Sequence, residues 1–205
     1  MENVNLAIIY YSATGTNYKL AQTAAEAAKE KAGVKTKTLK IKETAPKEAI
    51  ASNPQWQEHV NVSEDVPEIS LDDLEWADAI IFSIPTRYGN LPSQVQQFFD
   101  TTGGLWAEGK LANKVVSGMT SAQNLHGGQE TTLISLYKTM IHWGAVIAAP
   151  GFTDKVLFAA GGNPYGISVS AGTENITAEV KTAIAHQVER TLTVAKWVKK
   201  GKSEQ

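Results

Sequence analysis

The chain has 205 residues, 42% hydrophobic and 20% charged, which suits a soluble globular protein with a full core, and one domain over residues 1–205 is expected. Nineteen lysines and arginines against 21 aspartates and glutamates leave a net charge of -2, which excludes a positive field on the scale of a nucleic acid. With no cysteine, disulfides, thiol nucleophiles and thiolate metal sites are excluded, so redox chemistry has to come from a cofactor; no metal site is expected.

The start of the sequence lacks a basic region followed by an apolar core, and no apolar run nears the ~20 residues that span a bilayer. No membrane association and a cytoplasmic address are therefore expected.

Val4 to Tyr11 is a short apolar, β-branched and aromatic run, as a central strand buried on both faces requires. The polar loop Ser12-Ala13-Thr14-Gly15-Thr16-Asn17 follows, then Leu20, Ala24, Ala25 and Ala28 recur at helical spacing down to Gly33, read as a C-cap. Val34 to Ile41 alternates apolar residues with lysines, the pattern of a strand near a sheet edge. Glu43 to Ser70 carries Pro46, Pro54 and Pro67 without strong periodicity and reads as an extended connection with one helical turn at most.

Ala77 to Pro85 is a second buried strand, and Pro92 to Thr101 a proline-started amphipathic helix. Lys114 to Met119 is a shorter strand, followed by a polar, glycine-containing loop and a helix through Leu133, Leu136, Met140 and Trp143 to Gly144. Ala145 to Ala149 is the fifth strand candidate. After an irregular stretch, Thr177 caps a last helix that runs to about Lys200 with basic residues at its end. Repeated strand, loop and helix units predict a parallel sheet covered by helices on both faces, with ligands at the carboxyl ends of the strands.

Three loops occupy that edge. In the first, three hydroxyls, one amide and Gly15 precede a helix N-terminus, where free N–H groups and the dipole favour an anion. A plain helix cap would use the same residue types, but the position after the first buried strand favours phosphate. Neither a Walker loop nor G-x-G-x-x-G is present, so a mononucleotide monophosphate such as FMN suits the loop better than a triphosphate or a dinucleotide. In the second loop, Pro85-Thr86-Arg87-Tyr88-Gly89-Asn90, Tyr88 can cover a planar ring while Arg87 and Asn90 complement its polar edge; the competing reading is an ordinary turn. The third, Thr120 to Glu130, offers hydroxyls, amides and Gly127-Gly128 to a flavin, or is a connection with no ligand.

Taken in order, Pro85 to Asn90, Thr102-Gly103-Gly104-Leu105-Trp106, Gly127-Gly128-Gln129-Glu130 and Gly162-Asn163-Pro164-Tyr165-Gly166 resemble the WrbA family over nearly the whole chain, from Tyr10 to Lys200. The resemblance implies a flavodoxin-like three-layer α/β sandwich with a five-stranded parallel sheet of order 2-1-3-4-5. It implies FMN held by Ser12, Thr14, Gly15, Thr16 and Asn17 at the phosphate, and by Pro85, Thr86, Arg87, Tyr88, Gly89 and Asn90 at the ring. Thr120, Ser121, Ala122, Gln123, His126 and Gly127 would complete the pocket. His142 matches a histidine that reaches the flavin site from a neighbouring subunit of a homotetramer, and is the candidate proton donor; Trp106 matches a tryptophan lining the substrate cavity. On sequence grounds without the resemblance, His142 reads as a packed core residue and Trp106 as a core or interface residue.

Two departures stand out. Gln123, Asn124, Leu125 and His126 are bulkier than the serine, threonine and glycine of relatives, and Thr14 stands where relatives commonly place an aromatic.

The implied activity is reduction of quinones by NADH or NADPH in a ping-pong reaction. Rival functions are a one-electron carrier, which the small net charge disfavours, and a non-catalytic regulatory protein. Nucleic-acid binding is not expected, since Lys196, Lys199, Lys200 and Lys202 read as a solvated helix end.

Overall fold

A parallel strand covered on both faces needs apolar side chains in both directions, and β1 (Val4–Tyr10) supplies them. In the computed structural model, which describes residues 3–204, Leu6, Ile8 and Tyr10 point to one side of the sheet, and Ala7 and Ile9 to the other. The chain continues through α1 (Thr16–Lys29), β2 (Val34–Lys40), α2 (Lys47–Ala51), α3 (Pro54–Val62), α4 (Leu71–Trp76) and β3 (Ala79–Pro85). There follow α5 (Ser93–Asp100), α6 (Gly103–Ala107), β4 (Val115–Ala122), α7 (Gln129–His142), β5 (Val146–Ile147), α8 (Val156–Ala159), β6 (Ser168–Ser170) and α9 (Ala178–Ser203).

All strand pairs are parallel, and β1 to β5 lie in the order 2-1-3-4-5 with helices on both faces, a flavodoxin-like fold. A sixth strand adds to the five expected. β5 pairs only with Val115 and Val116 at the start of β4, and β6 takes the vacant edge of Thr120 to Ala122 further along. Its three residues are too short to carry a readable period.

One core layer packs α1 and α9 on the sheet through Leu20, Ala24, Val180, Ile184 and Val188. The other packs α4, α5 and α7 through Leu74, Val95, Phe99, Leu133, Leu136 and Met140. The sequence motif Gly162 to Gly166 seats β6: Tyr137 donates to the Tyr165 carbonyl, and a Cβ at Gly166 would lie 2.0 Å from the Gly118 carbonyl oxygen of β4. Only glycine passes there.

Two expectations are corrected. Half of the 43–70 connection is helical, because two of its prolines start helices rather than breaking them: Pro46 precedes α2, and Pro54 is the first residue of α3 behind Asn53, whose side chain accepts from the Gln55 and Trp56 amides. α1 ends at Lys29, so Gly33, with φ of 74°, turns the chain into β2 instead of capping the helix.

Gln187 of α9 is fully buried, donates to Ser117 Oγ at 2.6 Å and to the Gly118 carbonyl at 2.8 Å, and accepts from Ile167 N at 2.9 Å. Gln187→Leu keeps the volume but strands these buried polar groups. A loss of about 2 kcal/mol or more is expected, seen as a lower urea midpoint at unchanged slope.

Candidate functional site

The three loops converge at the carboxyl edge of the sheet around a cavity of about 530 Å³. Its walls are Ser12, Ala13, Thr14, Thr16 and Asn17 from the first loop, Pro85, Thr86, Arg87 and Tyr88 from the second, and Ser121, Ala122, Gln123, Asn124 and Gly127 from the third. Asn53, Trp56 and Ala171 close the remaining sides. The size is that of a small-molecule pocket. Past Thr14 and Thr16 the cavity is continued by a second recess of about 660 Å³ that includes Gly15, Lys19 and His59.

The first loop is shaped for an anion. Gly15, at φ of 94°, is the N-cap of α1 and no side chain caps the helix, so its first amides face the recess with the positive dipole end behind them. The Ser12 hydroxyl accepts from Gly15 N at 3.0 Å, folding the loop back on itself. Thr14 is exposed in both recesses, whereas Thr16 is buried and its hydroxyl accepts from Gly172 N at 2.9 Å. Asn17 is 1% exposed. Its amide donates to Ser83 Oγ, its Oδ1 accepts from Ser121 Oγ, and the Ser83 hydroxyl donates to its carbonyl at 2.8 Å. It fastens the loop to β3 and β4.

The second loop is a hairpin turn in which Arg87 and Asn90 exchange backbone hydrogen bonds at 2.8 and 2.9 Å. Its central residues, Tyr88 and Gly89, have φ of 51° and 74°, the signs a type I′ turn demands. Tyr88 is the unusual occupant, since a bulky side chain in the left-handed region costs of order 1–3 kcal/mol, and strain of this kind collects at functional sites. Its ring stands wholly in solvent at the cavity mouth.

Thr86 joins the second loop to the third: its Oγ1 accepts from Gly89 N at 3.1 Å and lies 2.7 Å from Thr132 Oγ1. A Cβ on Gly128 would fall 2.5 Å from Gly89 Cα, so the two loops touch backbone to backbone. The third loop is folded internally by Gln129, which donates to the Asn124 carbonyl at 2.8 Å.

Some named residues stand apart from the walls. Gly89 and Asn90 support the turn, Thr120 is buried in β4, and His126 is exposed on the outer side of its loop. His142 ends α7, about 20 Å of helix away from Gln129 at 1.5 Å per residue. Trp106 donates from Nε1 to the His142 carbonyl at 2.8 Å, and both residues are exposed.

Four participants had escaped the sequence reading: Asn53, Trp56, His59 and Ala171. Glu43 brings in the α3 pair, accepting from Trp56 Nε1 at 3.0 Å, Tyr11 Oη at 3.0 Å and Gln94 Nε2 at 2.8 Å. Burial and the adjoining Glu43 carboxylate push the Tyr11 hydroxyl pKa up, so Tyr11 remains a donor. The sequence signal was Asn53-Pro54, a helix start placed inside a segment without apolar periodicity. Among the described residues, no group of three or more His, Asp or Glu side chains is arranged to hold a metal ion.

Residues 4–154 match the NADPH-dependent FMN reductase family. A protein of Deinococcus radiodurans named NAD(P)H dehydrogenase (quinone) is 54% identical over 91% of this chain and 93% of its own length. One of the same name from Geotalea uraniireducens is 37% identical over 82% and 84%. A flavodoxin-like, WrbA-like protein from Agrobacterium tumefaciens has the same fold at a TM-score of 0.62 and 20% identity, over 95% of this chain and 99% of its own. The chain therefore belongs to the NADPH-dependent FMN reductase family, and to the group of its relatives named NAD(P)H dehydrogenase (quinone).

Gly128→Ala is expected to force the second and third loops apart. FMN affinity should fall more than tenfold by fluorescence titration, while Gly103→Ala, where a Cβ meets nothing within 4 Å, leaves it unchanged.

Proposed function

We propose that this chain is an FMN-dependent NAD(P)H:quinone oxidoreductase that reduces quinones to hydroquinones by two electrons in a ping-pong reaction. The observation that carries the reading is the cavity itself: hydroxyls, amides and an uncapped helix N-terminus line it, together with the aromatic rings of Tyr88 and Trp56. A phosphate fits beside the α1 N-terminus, since helix amides and hydroxyls supply donors there. A planar ring fits beside the two aromatic side chains.

Bound FMN supplies the electron-transfer chemistry, and the protein supplies orientation and electrostatics. In this reading the α1 amides and the Ser12 and Thr14 hydroxyls anchor the phosphate. Thr86, Gly127 and Ser121 line the wall against which the ring would be oriented, held by the Asn17 and Thr86 fastenings. Among the described residues Arg87 is the one cationic side chain on the cavity wall, and would supply positive charge to the ring's polar edge. Trp56, fixed by Glu43, forms the wall of the mouth through which nicotinamide and quinone would enter in turn.

The full assignment covers one FMN-binding domain over residues 1–205, acting in the cytoplasm without nucleic-acid or membrane partners. No helix among the described residues is long and apolar enough to cross a membrane. It includes a homotetramer in which His142 and Trp106 reach the site of a neighbouring subunit, His142 as proton donor. The exposure of both side chains at the far end of α7 supports this placement.

Anaerobic stopped-flow mixing of the FMN-loaded protein with NADH or NADPH, then with benzoquinone, tests the reading. Loss of flavin absorbance on the first mix and full recovery on the second are expected. An absorbance that neither nucleotide changes would overturn it.

A further inference from the structure

The second recess contains a side chain that the reaction above does not use. His59 of α3 is 7% exposed, and neither ring nitrogen makes a hydrogen bond among the described residues. Its ring packs against Tyr18 of α1 at 5.4 Å between centroids and against Tyr10 of β1 at 6.4 Å, which fixes its direction. That direction is toward the phosphate loop: a Cβ built on Gly15 would lie 3.8 Å from His59 Nδ1. A buried imidazole that could both donate and accept, with no partner, therefore borders the uncapped N-terminus of α1.

We propose that His59 belongs to the phosphate-binding site, and that it takes up a proton when the FMN phosphate binds. The inference rests on the FMN reading above. A dianion at the α1 N-terminus would give the imidazole the charged partner it lacks, and a hydrogen bond from an imidazolium to phosphate is of the strong, charge-assisted kind. Before binding, the charged form is disfavoured: burial comes first, then Lys40 of β2, whose Nζ is held by the Ser63 and Glu64 carbonyls at 2.7 and 3.1 Å; Glu43 acts in the opposite sense. The other groups facing it are the Tyr10 and Tyr18 hydroxyls from β1 and α1, Lys19, Glu58 and Glu174 around the recess, and Tyr11 and Glu68, which line a smaller cavity on its other side with Lys40 and Glu43. The segment carrying α3 then completes an anion site that α1 begins.

The sign follows from linkage. The pKa of His59 lies below 6.5 in the free protein and rises on binding. Affinity for the phosphate dianion therefore weakens as pH rises through the His59 value in the complex.

Three arms decide it. Titration calorimetry of wild-type apoprotein with FMN at pH 7.5, in phosphate-free buffers of different ionisation enthalpy, should show proton uptake; none, or release, overturns the proposal. Fluorescence titrations from pH 6.5 to 8.5 should weaken FMN binding by about tenfold or more in the wild type. In His59→Asn and His59→Gln the dependence should be flat, and a persisting slope overturns the proposal. Riboflavin, which lacks the phosphate, should bind the wild type and both variants alike; an equal loss for riboflavin would make His59 structural. Should the variants fail to fold, the wild-type calorimetry decides. If FMN binds at no pH, the FMN reading fails and this proposal with it; FMN binding without proton uptake overturns this proposal and leaves the FMN reading standing.

Discussion

One amide holds the working edge of the sheet together. Asn17 stands at the start of α1, yet its side chain reaches Ser83 on β3 and Ser121 on β4, so three strand ends and their loops share a single buried junction. A parallel sheet gives no reason for its loops to stay together, since each βα connection is local and the strands splay with twist. A buried, satisfied polar network supplies that reason, because misalignment would leave its members unpaired at low dielectric. The cavity is what remains between loops fastened from beneath. Its upper fastening, Thr86 to Gly89 and Thr132, uses the same economy.

The fastenings also explain how a strained turn persists. Tyr88 holds a left-handed backbone conformation that its side chain opposes, but the turn is fixed on three sides: by the Arg87 and Asn90 pair, by Thr86, and by Gly128 pressed on Gly89. The surrounding contacts set the geometry, and Tyr88 gains a position over the cavity mouth that a relaxed residue would not keep. Strain of this sort is affordable only on a rigid base.

How much of this could be read from the sequence differs element by element, for physical reasons. The buried strands β1 and β3 and the loops that follow them were legible, because a fully apolar run beside a hydroxyl-rich turn has few other uses. β6 was not: three residues carry no period, and its place depends on β5 ending early and on Gly166 fitting against Gly118. The 43–70 segment misled because its helices are short and mostly solvent-facing, so capping by Asn53 and Pro54 is the only local signal. The same segment delivers Trp56 and His59, and the wall it builds was therefore invisible too. Asn17 and Thr86 were legible as polar loop residues. That they fasten loops together depends, for Asn17, on strands 66 and 104 residues away in sequence and, for Thr86, on Thr132 46 residues away, which no local pattern contains.

The two ends of α7 have different fates, and the direction of a parallel crossover decides them. A helix that follows a parallel strand runs back antiparallel to it, so the N-terminus of α7 lies at the cavity edge with Gly128 and Gln129, and its C-terminus at the opposite edge. The hydrogen bond from Asn113 N to the Gly144 carbonyl, at 2.9 Å just before β4 begins, fixes His142 and Trp106 at that far edge. Neither loop motion nor a rotamer change spans about 20 Å of packed helix. Within one chain these two residues cannot reach the cavity they were matched to, and any part they take in the chemistry has to be played in the site of another copy. The fold thus separates the residues that line the cavity, all on one edge, from those that could only be lent across an interface.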